Sequence, residues 1–229
     1  MAVEKISVII PVLNEEGIIQ KTLLRIRDGS DLETIIVDGG SVDQTVELAQ
    51  NLGVKVICCA RIGRAGQMNA GAAAATGEIL LFLHADTRLP VGYEGMIREA
   101  LSKPRTIAGA FKLGIEGKGR LLRLVEIMVN ARSRFLGIPY GDQAIFLKAP
   151  TFREIGGFPN LPVMEDFEIM RQLRKRGGIT IARAAVLTSG RRWQKLGVFK
   201  TTLINQMIIL GYLLGVSPAK LVSWYRRQR

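Results

Sequence analysis

Apolar runs that alternate with helix signals constrain this chain more than any other feature. Ile6 to Val12 is a dense β-branched run, and Asn14 with Glu15 and Glu16 then marks a helix start with acids in its first turn. Thr34 to Val37 is a second run, stopped by Asp38, Gly39 and Gly40, and Ser41 with Gln44 reads as a capping box for the next helix. Val54 to Cys59 predicts a third strand, Arg64 to Thr76 an alanine-rich helix, and Ile79 to Leu83 a fourth strand. Strand and helix alternating at this spacing predict an α/β fold with a doubly wound parallel sheet.

The length of 229 residues fits one domain with a sizeable core, or a domain plus a small appendage. Cys58 and Cys59 are adjacent, a spacing that suits neither a disulfide framework nor a zinc site, and are expected in or beside a buried strand of a cytosolic protein. The apolar N-terminal run leads into acids without a small-residue cleavage site, so it reads as a first strand rather than a signal peptide.

Beyond Pro90 the pattern loosens. A helix from Val91 to Ser102 is expected, then a strand at Ile107 to Ile115, a basic amphipathic helix over 119–136 and a strand at Ala144 to Leu147. A Gly156-Gly157 turn and a charged helix from Glu165 to about Arg176 follow. Leu203 to Val216 is mostly apolar but shorter than the roughly 20 residues that span a bilayer. With Lys200, Lys220, Trp224 and Tyr225 around it, it reads equally as an interfacial amphipathic helix or as a docked core helix.

The formal net charge is +12, and it is unevenly placed: Ile169 to Arg229 holds 13 Lys or Arg and no acid. Such a block points to phosphate-rich partners, namely nucleotide diphosphates, an anionic membrane face or nucleic acid. Aromatic content of 6% and the lack of an RNP-type strand motif argue against specific nucleic-acid binding.

The chemistry-bearing residues sit at element ends. In a parallel sheet the strand C-termini share one edge, so Asp38 and Asp86 are expected to face one crevice. His84, the single histidine, lies two residues before Asp86 on what reads either as an extended strand end, which would put both side chains on one side, or as a charged turn after a core strand. Residues 63–71, GRAGQMNAG, form a Gly-rich basic loop entering a helix, where backbone amides and Arg61 or Arg64 are placed to hold a diphosphate. Neither a P-loop nor a dinucleotide fingerprint is present. Glu165-Asp166 reads on its own as a pair of helix-capping acids.

Four segments, SVIIPVLNEE (7–16), IIVDGGSVDQT (35–45), GRAGQMNAGAAAATGEILLFLHADT (63–87) and GGFPNLPVMEDFEIMRQLRKRG (156–177), resemble the family 2 inverting glycosyltransferases of the GT-A fold, in that family's order. The resemblance covers roughly residues 5–195. It implies a mostly parallel sheet flanked by helices, with a catalytic domain over 1–195 divided near residue 88 and basic amphipathic helices over 196–229.

It also implies roles. Pro11, Asn14 and Glu16 line a nucleotide-sugar pocket, and Asp38 takes the uracil or other base. Arg64 and Asn69 approach the nucleotide and its phosphates. Asp86 matches the final Asp of the family's DxD segment, which holds a divalent cation, Mn2+ or Mg2+. Asp166 matches the second acid of the ED motif, the general base toward the acceptor, with Glu165 beside it.

Three departures accompany the likeness. His84 stands where the family has the first Asp of DxD, in position to meet the ribose, a phosphate or manganese. Ser189 stands in place of the Gln that precedes Arg192 and Trp193 in processive members, which favours transfer of a single sugar. Asp142 or Gln143 lies where an acceptor's hydroxyls would be read. Trp193, with Arg191 and Arg192, either stacks on a ligand or is an anchored side chain among solvated cations. The implied activity is metal-assisted, inverting transfer of one hexose from a nucleoside-diphosphate sugar, with UDP favoured. The expected acceptor is a hydroxyl or phosphate, a lipid or carotenoid-type amphiphile among the candidates, and the expected location is cytoplasmic, peripheral on the inner face of the cell membrane. A sugar-nucleotide binder without turnover is the other reading.

Overall fold

A computed structural model of the chain describes residues 3–26, 31–59 and 63–227. The predicted alternation is present from the start. The first half holds β1 (Ile6–Val12), α1 (Glu16–Leu23), β2 (Leu32–Asp38), α2 (Thr45–Asn51), β3 (Lys55–Cys58), α3 (Arg64–Ala74) and β4 (Ile79–Phe82). The second half holds β5 (Thr87–Arg88), α4 (Tyr93–Ser102), β6 (Thr106–Ile115), α5 (Arg120–Leu136), β7 (Ile145–Lys148), α6 (Ala149–Glu154) and α7 (Glu165–Arg174). After these come β8 (Gly178–Thr188), α8 (Arg191–Leu196), α9 (Val198–Leu213) and α10 (Pro218–Arg227).

The strands form one sheet in the order β3-β2-β1-β4-β7-β6-β8-β5. β1, β2, β3 and β4 are mutually parallel, and β6 is parallel to β8. β7 runs antiparallel between β4 and β6, and β5 is a short antiparallel edge strand. The sheet is therefore mostly parallel, as expected.

Strand alternation divides the core into two layers. Ile6, Val8, Ile10 and Val12 of β1 and Ile79 and Leu81 of β4 face one side, against Ile19 of α1 and Ile97 of α4. Ile9, Leu80 and Phe82 face the other, against Met68 of α3, Phe152 of α6 and Met170 of α7. The approach of α3 requires a glycine: a Cβ on Gly71 would lie 2.4 Å from Ile9 Cγ2 and 2.9 Å from Val37 Cγ2. Gln67, one turn earlier and buried, donates its amide to the carbonyls of Val12 (2.9 Å) and Val37 (2.8 Å). The paired ends of β1 and β2 are thereby closed onto α3.

Three expectations are corrected. Ser41 does not cap α2, which begins at Thr45; its hydroxyl donates to Asp38 Oδ1 (2.5 Å) and accepts from Asn14 N (2.9 Å). The third strand is not buried but lies at the sheet edge, and Cys58 is exposed. The strand before His84 stops at Phe82, and residues 84–87 form a turn closed by Thr87 N donating to His84 O (3.0 Å). Strand alternation therefore does not relate His84 to Asp86.

Candidate active site

The site is assembled at the edge where β1, β2 and β4 end. On its nucleotide side, two loops are laced together by short side chains. Asn14, held at φ 56, accepts Val42 N at its Oδ1 (2.9 Å), and Glu16 accepts Gln44 N (3.1 Å). Pro11 lies two residues beyond the last β1–β4 pair, Ile9 with Phe82, so its missing N–H costs that ladder nothing. Asp38 is buried and its oxygens accept Gly40 N, Ser41 N and the Ser41 hydroxyl. Here Asp38 shapes the loop that faces the cleft.

The centre of the cleft is lined by Arg64, His84, Gly141, Glu165 and Asp166, over an apolar floor that includes Phe82 and Phe158. These two rings meet edge to face at 4.8 Å. Burial, with the positive Arg64 nearby, pushes the His84 imidazole down to about 3, so it is neutral at physiological pH. Glu165 is buried and faces Arg64 across 3.6 Å; burial and the adjacent Asp166 raise its pKa while Arg64 opposes them. Asp166 is fixed at both oxygens: Gly141 N donates to Oδ2 (2.8 Å) and Phe167 N to Oδ1 (2.7 Å). Gly141 cannot be enlarged, since a Cβ there would stand 2.9 Å from His84 Nε2 and 3.4 Å from Asp166 Oδ2.

Asp142 is the next residue of that turn. Burial, the carboxylates of Asp166 and Asp86, and an opposing Arg132 leave its carboxyl pushed up to about 6. Its Oδ1 is enclosed without a hydrogen-bond partner among the described residues. Asp86 is half-buried. Ser189 N donates to its carbonyl (3.0 Å), which brings the end of β8 alongside and carries Arg191 onto its carboxylate at 3.8 Å. The same guanidinium meets Glu15 at 3.4 Å. Burial, set against Arg191, leaves the Glu15 pKa raised.

The structure thus brings together Arg64, His84, Asp86, Asp142, Glu165, Asp166 and Arg191. Other candidates are committed elsewhere. Asn69 exchanges two bonds with the main chain of Phe158: Nδ2 to O at 2.8 Å, and Phe158 N to Oδ1 at 2.9 Å. Gln143 has no exposed surface; it donates to Phe111 O and accepts from Ser133 Oγ, so it holds the turn rather than reading an acceptor. Arg192 bonds and stacks on Tyr225 of α10. Trp193 packs with Leu122 and Val125 of α5, the anchored alternative. Arg61 lies outside the described residues. Glu15 was missed as a site residue, because only the fold reveals its pairing with a residue 176 positions later.

The family model described as Glycosyl transferase family 2 matches residues 7–158. This chain belongs to that family. Residues 7–158 hold the β1–β4 frame, His84, Asp86 and Asp142. Among curated relatives, a PGL/p-HBAD biosynthesis glycosyltransferase of Mycobacterium bovis is 39% identical over 97 residues, covering 39% of this chain and 38% of the relative. An uncharacterized glycosyltransferase of Nostoc sp. is 39% identical over 90 residues, 36% of this chain and 28% of the relative. The chain therefore matches well under half the length of these relatives.

Solved structures give the GT-A fold. A mannosyltransferase of Pyrobaculum calidifontis in complex with GDP-Man and Mn2+ superposes with a TM-score of 0.63 at 22% identity. The match covers 82% of this chain and 57% of that one. S. aureus TarS in complex with UDP gives 0.63 at 19% identity, over 81% and 60% of the two chains. Family 2 membership and the GT-A frame together identify the cleft at the strand ends as the place to seek transferase chemistry.

Proposed function

We propose that this glycosyltransferase moves one hexose, with inversion, from a nucleoside-diphosphate sugar to an acceptor oxygen, with Asp166 as general base. The observation that carries this reading is the fixing of Asp166 by two backbone N–H groups in a cleft shared with Arg64, His84 and Glu165. Similar structures hold UDP or GDP-Man, and UDP is the donor base favoured here.

A divalent cation fits the donor set. Asp86 offers a hard carboxylate that already has a guanidinium against it, and Asp142 has an unpartnered oxygen in the same field. One or two carboxylates completed by substrate phosphates suit Mg2+ or Mn2+. Among the described residues no group of three acid, His or Cys side chains forms a closed protein site. Asp86 would hold the cation, which would offset charge on the departing diphosphate.

The protein's own residues do the rest. The acceptor oxygen attacks the anomeric carbon as the bond to phosphate breaks, and the diphosphate leaves with the electron pair. Asp166 takes the acceptor's proton. Arg64 and Arg191 lie on the side where negative charge grows. Neutral His84 gives one donor and one acceptor for a sugar or phosphate oxygen. Glu165 holds Arg64 in place.

The test is donor hydrolysis and transfer across UDP-, GDP- and dTDP-sugars with manganese or magnesium. Turnover with one class, lost on chelation and in Asp166→Asn but with donor affinity kept within about tenfold, is expected. A large affinity loss in Asp166→Asn would remove it from the base role, and undiminished turnover with chelator would remove the cation.

A further inference from the structure

Among the described residues, the large apolar side chains left exposed are concentrated on one part of the molecule. Apart from Val3, Leu13, Leu24, Val42 and Val91, all of them lie on α5, on α9 or in the turn just after α9. On α9 they recur as Phe199, Leu203, Met207, Leu210 and Leu214, at intervals of 4, 4, 3 and 4, which is one stripe of a helix. On α5, Leu121, Leu124, Met128 and Phe135 repeat the pattern, with Phe135 80% exposed.

Neither helix is loose. α5 buries Leu122 and Val125 with Leu113 and Ile115 of β6, and Val198 at the start of α9 joins the same cluster. Ile208 and Tyr212 of α9 pack on Met164 and Phe167, the residues flanking Glu165-Asp166. Both helices are therefore apolar on two sides, one used by the fold and one not.

The charge around the unused sides is mostly positive, and the two acids near α5, Glu116 and Glu126, are paired with Arg88 and Arg123. Exposed Lys118, Arg120, Arg134, Lys195 and Lys200 border them, and no acid occurs after Glu168. On α10, Lys220, Trp224 and Arg227 line an open groove. A second copy is a poor occupant, because a two-fold contact sets a patch against itself and would oppose these cations. Apolar stripes bordered by cations complement a surface whose interior is hydrocarbon and whose headgroups are anionic.

We propose that the outer faces of α5 and α9 dock on an anionic lipid bilayer, lying in its interface. No described helix is long and apolar enough to cross a membrane, so the contact is peripheral. It deepens the transferase reading in one respect, placing an amphiphilic acceptor in the bilayer beside the helix that carries Asp166.

The test is flotation of the full chain, without nucleotide, on vesicles of phosphatidylcholine alone or mixed with phosphatidylglycerol. Binding to the mixed vesicles should exceed that to phosphatidylcholine by about tenfold and weaken as salt is raised. Leu124→Glu combined with Leu203→Glu should lower it by about tenfold or more, whereas Val91→Glu, at an exposed apolar position on another part of the surface, should leave it unchanged. Lys195→Glu with Lys200→Glu should lower binding to the mixed vesicles alone, a check independent of the apolar variants. Failure to float, or equal flotation of all variants, overturns the proposal. So does a dimer in sedimentation that the Leu124/Leu203 pair dissolves without any vesicle binding. Because the assay contains no donor, its failure leaves the transferase reading standing, and UDP binding measured separately tests that reading.

Discussion

The sheet half around β1, β2 and β4 and the helical wall of α5 and α9 treat the same residue types in opposite ways. In the first, Ile6, Ile9, Ile35 and Leu81 have no exposure at all. In the second, Leu124, Leu203 and Phe199 are half or more exposed while their helix neighbours are buried. The sheet half satisfies its hydrophobic pattern within the chain. The helical wall satisfies only one side of each helix, and what remains is a surface in search of a partner. The candidate site lies at the seam, taking Arg64 and Asp86 from the first region and Asp166 and Arg191 from α7 and α8, which adjoin the helical wall.

The sharpest test of that seam is Asp166→Asn. Removing a general base should lower kcat by roughly 10²–10⁴-fold while circular dichroism and Tm stay unchanged. If kcat barely moves, the second region supplies no chemistry.

Next is Gly71→Val in the tightly packed half. Because a Cβ already meets Ile9 Cγ2 at 2.4 Å, overpacking should cost about 2–3 kcal/mol, read as a Tm drop of roughly 4–12 °C. A neutral result would mean that this half is no better packed than the helical wall.

Asp142→Asn gives a pH signature. The Asp142 carboxyl is raised from 3.8 to about 6, so the folded chain keeps a proton that the unfolded chain releases between those values. Stability of the native protein falls as pH rises through that window and stays lower above it. The variant should therefore be more stable than the parent above pH 6, by about 3 kcal/mol, and equal to it below about pH 4 in thermal melts.

Arg191→Gln should have a smaller and two-sided effect. It frees Asp86 from a competing cation, so Mn2+ binding without nucleotide, followed by electron paramagnetic resonance, should tighten. At the same time kcat/KM should fall about tenfold from loss of one positive group beside the diphosphate. Smallest of all, Leu124→Glu on the outer wall should change stability by less than about 0.5 kcal/mol in urea melts. A larger loss would show that the exposed stripe contributes to folding and would blunt the contrast between the regions.

The sequence was most legible where burial is two-sided. β1 falls on Ile6–Val12 as expected, and α4, α5 and α7 begin within two residues of their predicted starts. β8 escaped because Arg183 divides GITIARAAVLT into two short apolar stretches, and only Ala182, Val186 and Thr188 of it are buried. The turn at residues 84–87 was one of two readings of His-Ala-Asp-Thr, and without a Gly or Pro the sequence did not decide between it and an extended strand end. In the site, the residue types at strand and helix ends were legible as candidates, since topology alone brings such ends to one sheet edge, but Asp38 is buried and bonded within its own loop. Which of them face the cleft was not legible. Asn69 and Gln143 are polar and well placed in sequence, yet each finds backbone partners, and such pairings depend on segments far away along the chain.

Asn69 also has a mechanical meaning. By gripping Phe158 from both ends of its amide, it ties the helix that begins at Arg64 to the segment leading into Glu165-Asp166. The walls that carry Arg64 and Asp166 are then coupled to each other, and the spacing between them is set when the chain folds. The remaining wall, residues 189–196, is held separately, by Ser189 N on the Asp86 carbonyl and by Arg191 on the carboxylates of Glu15 and Asp86.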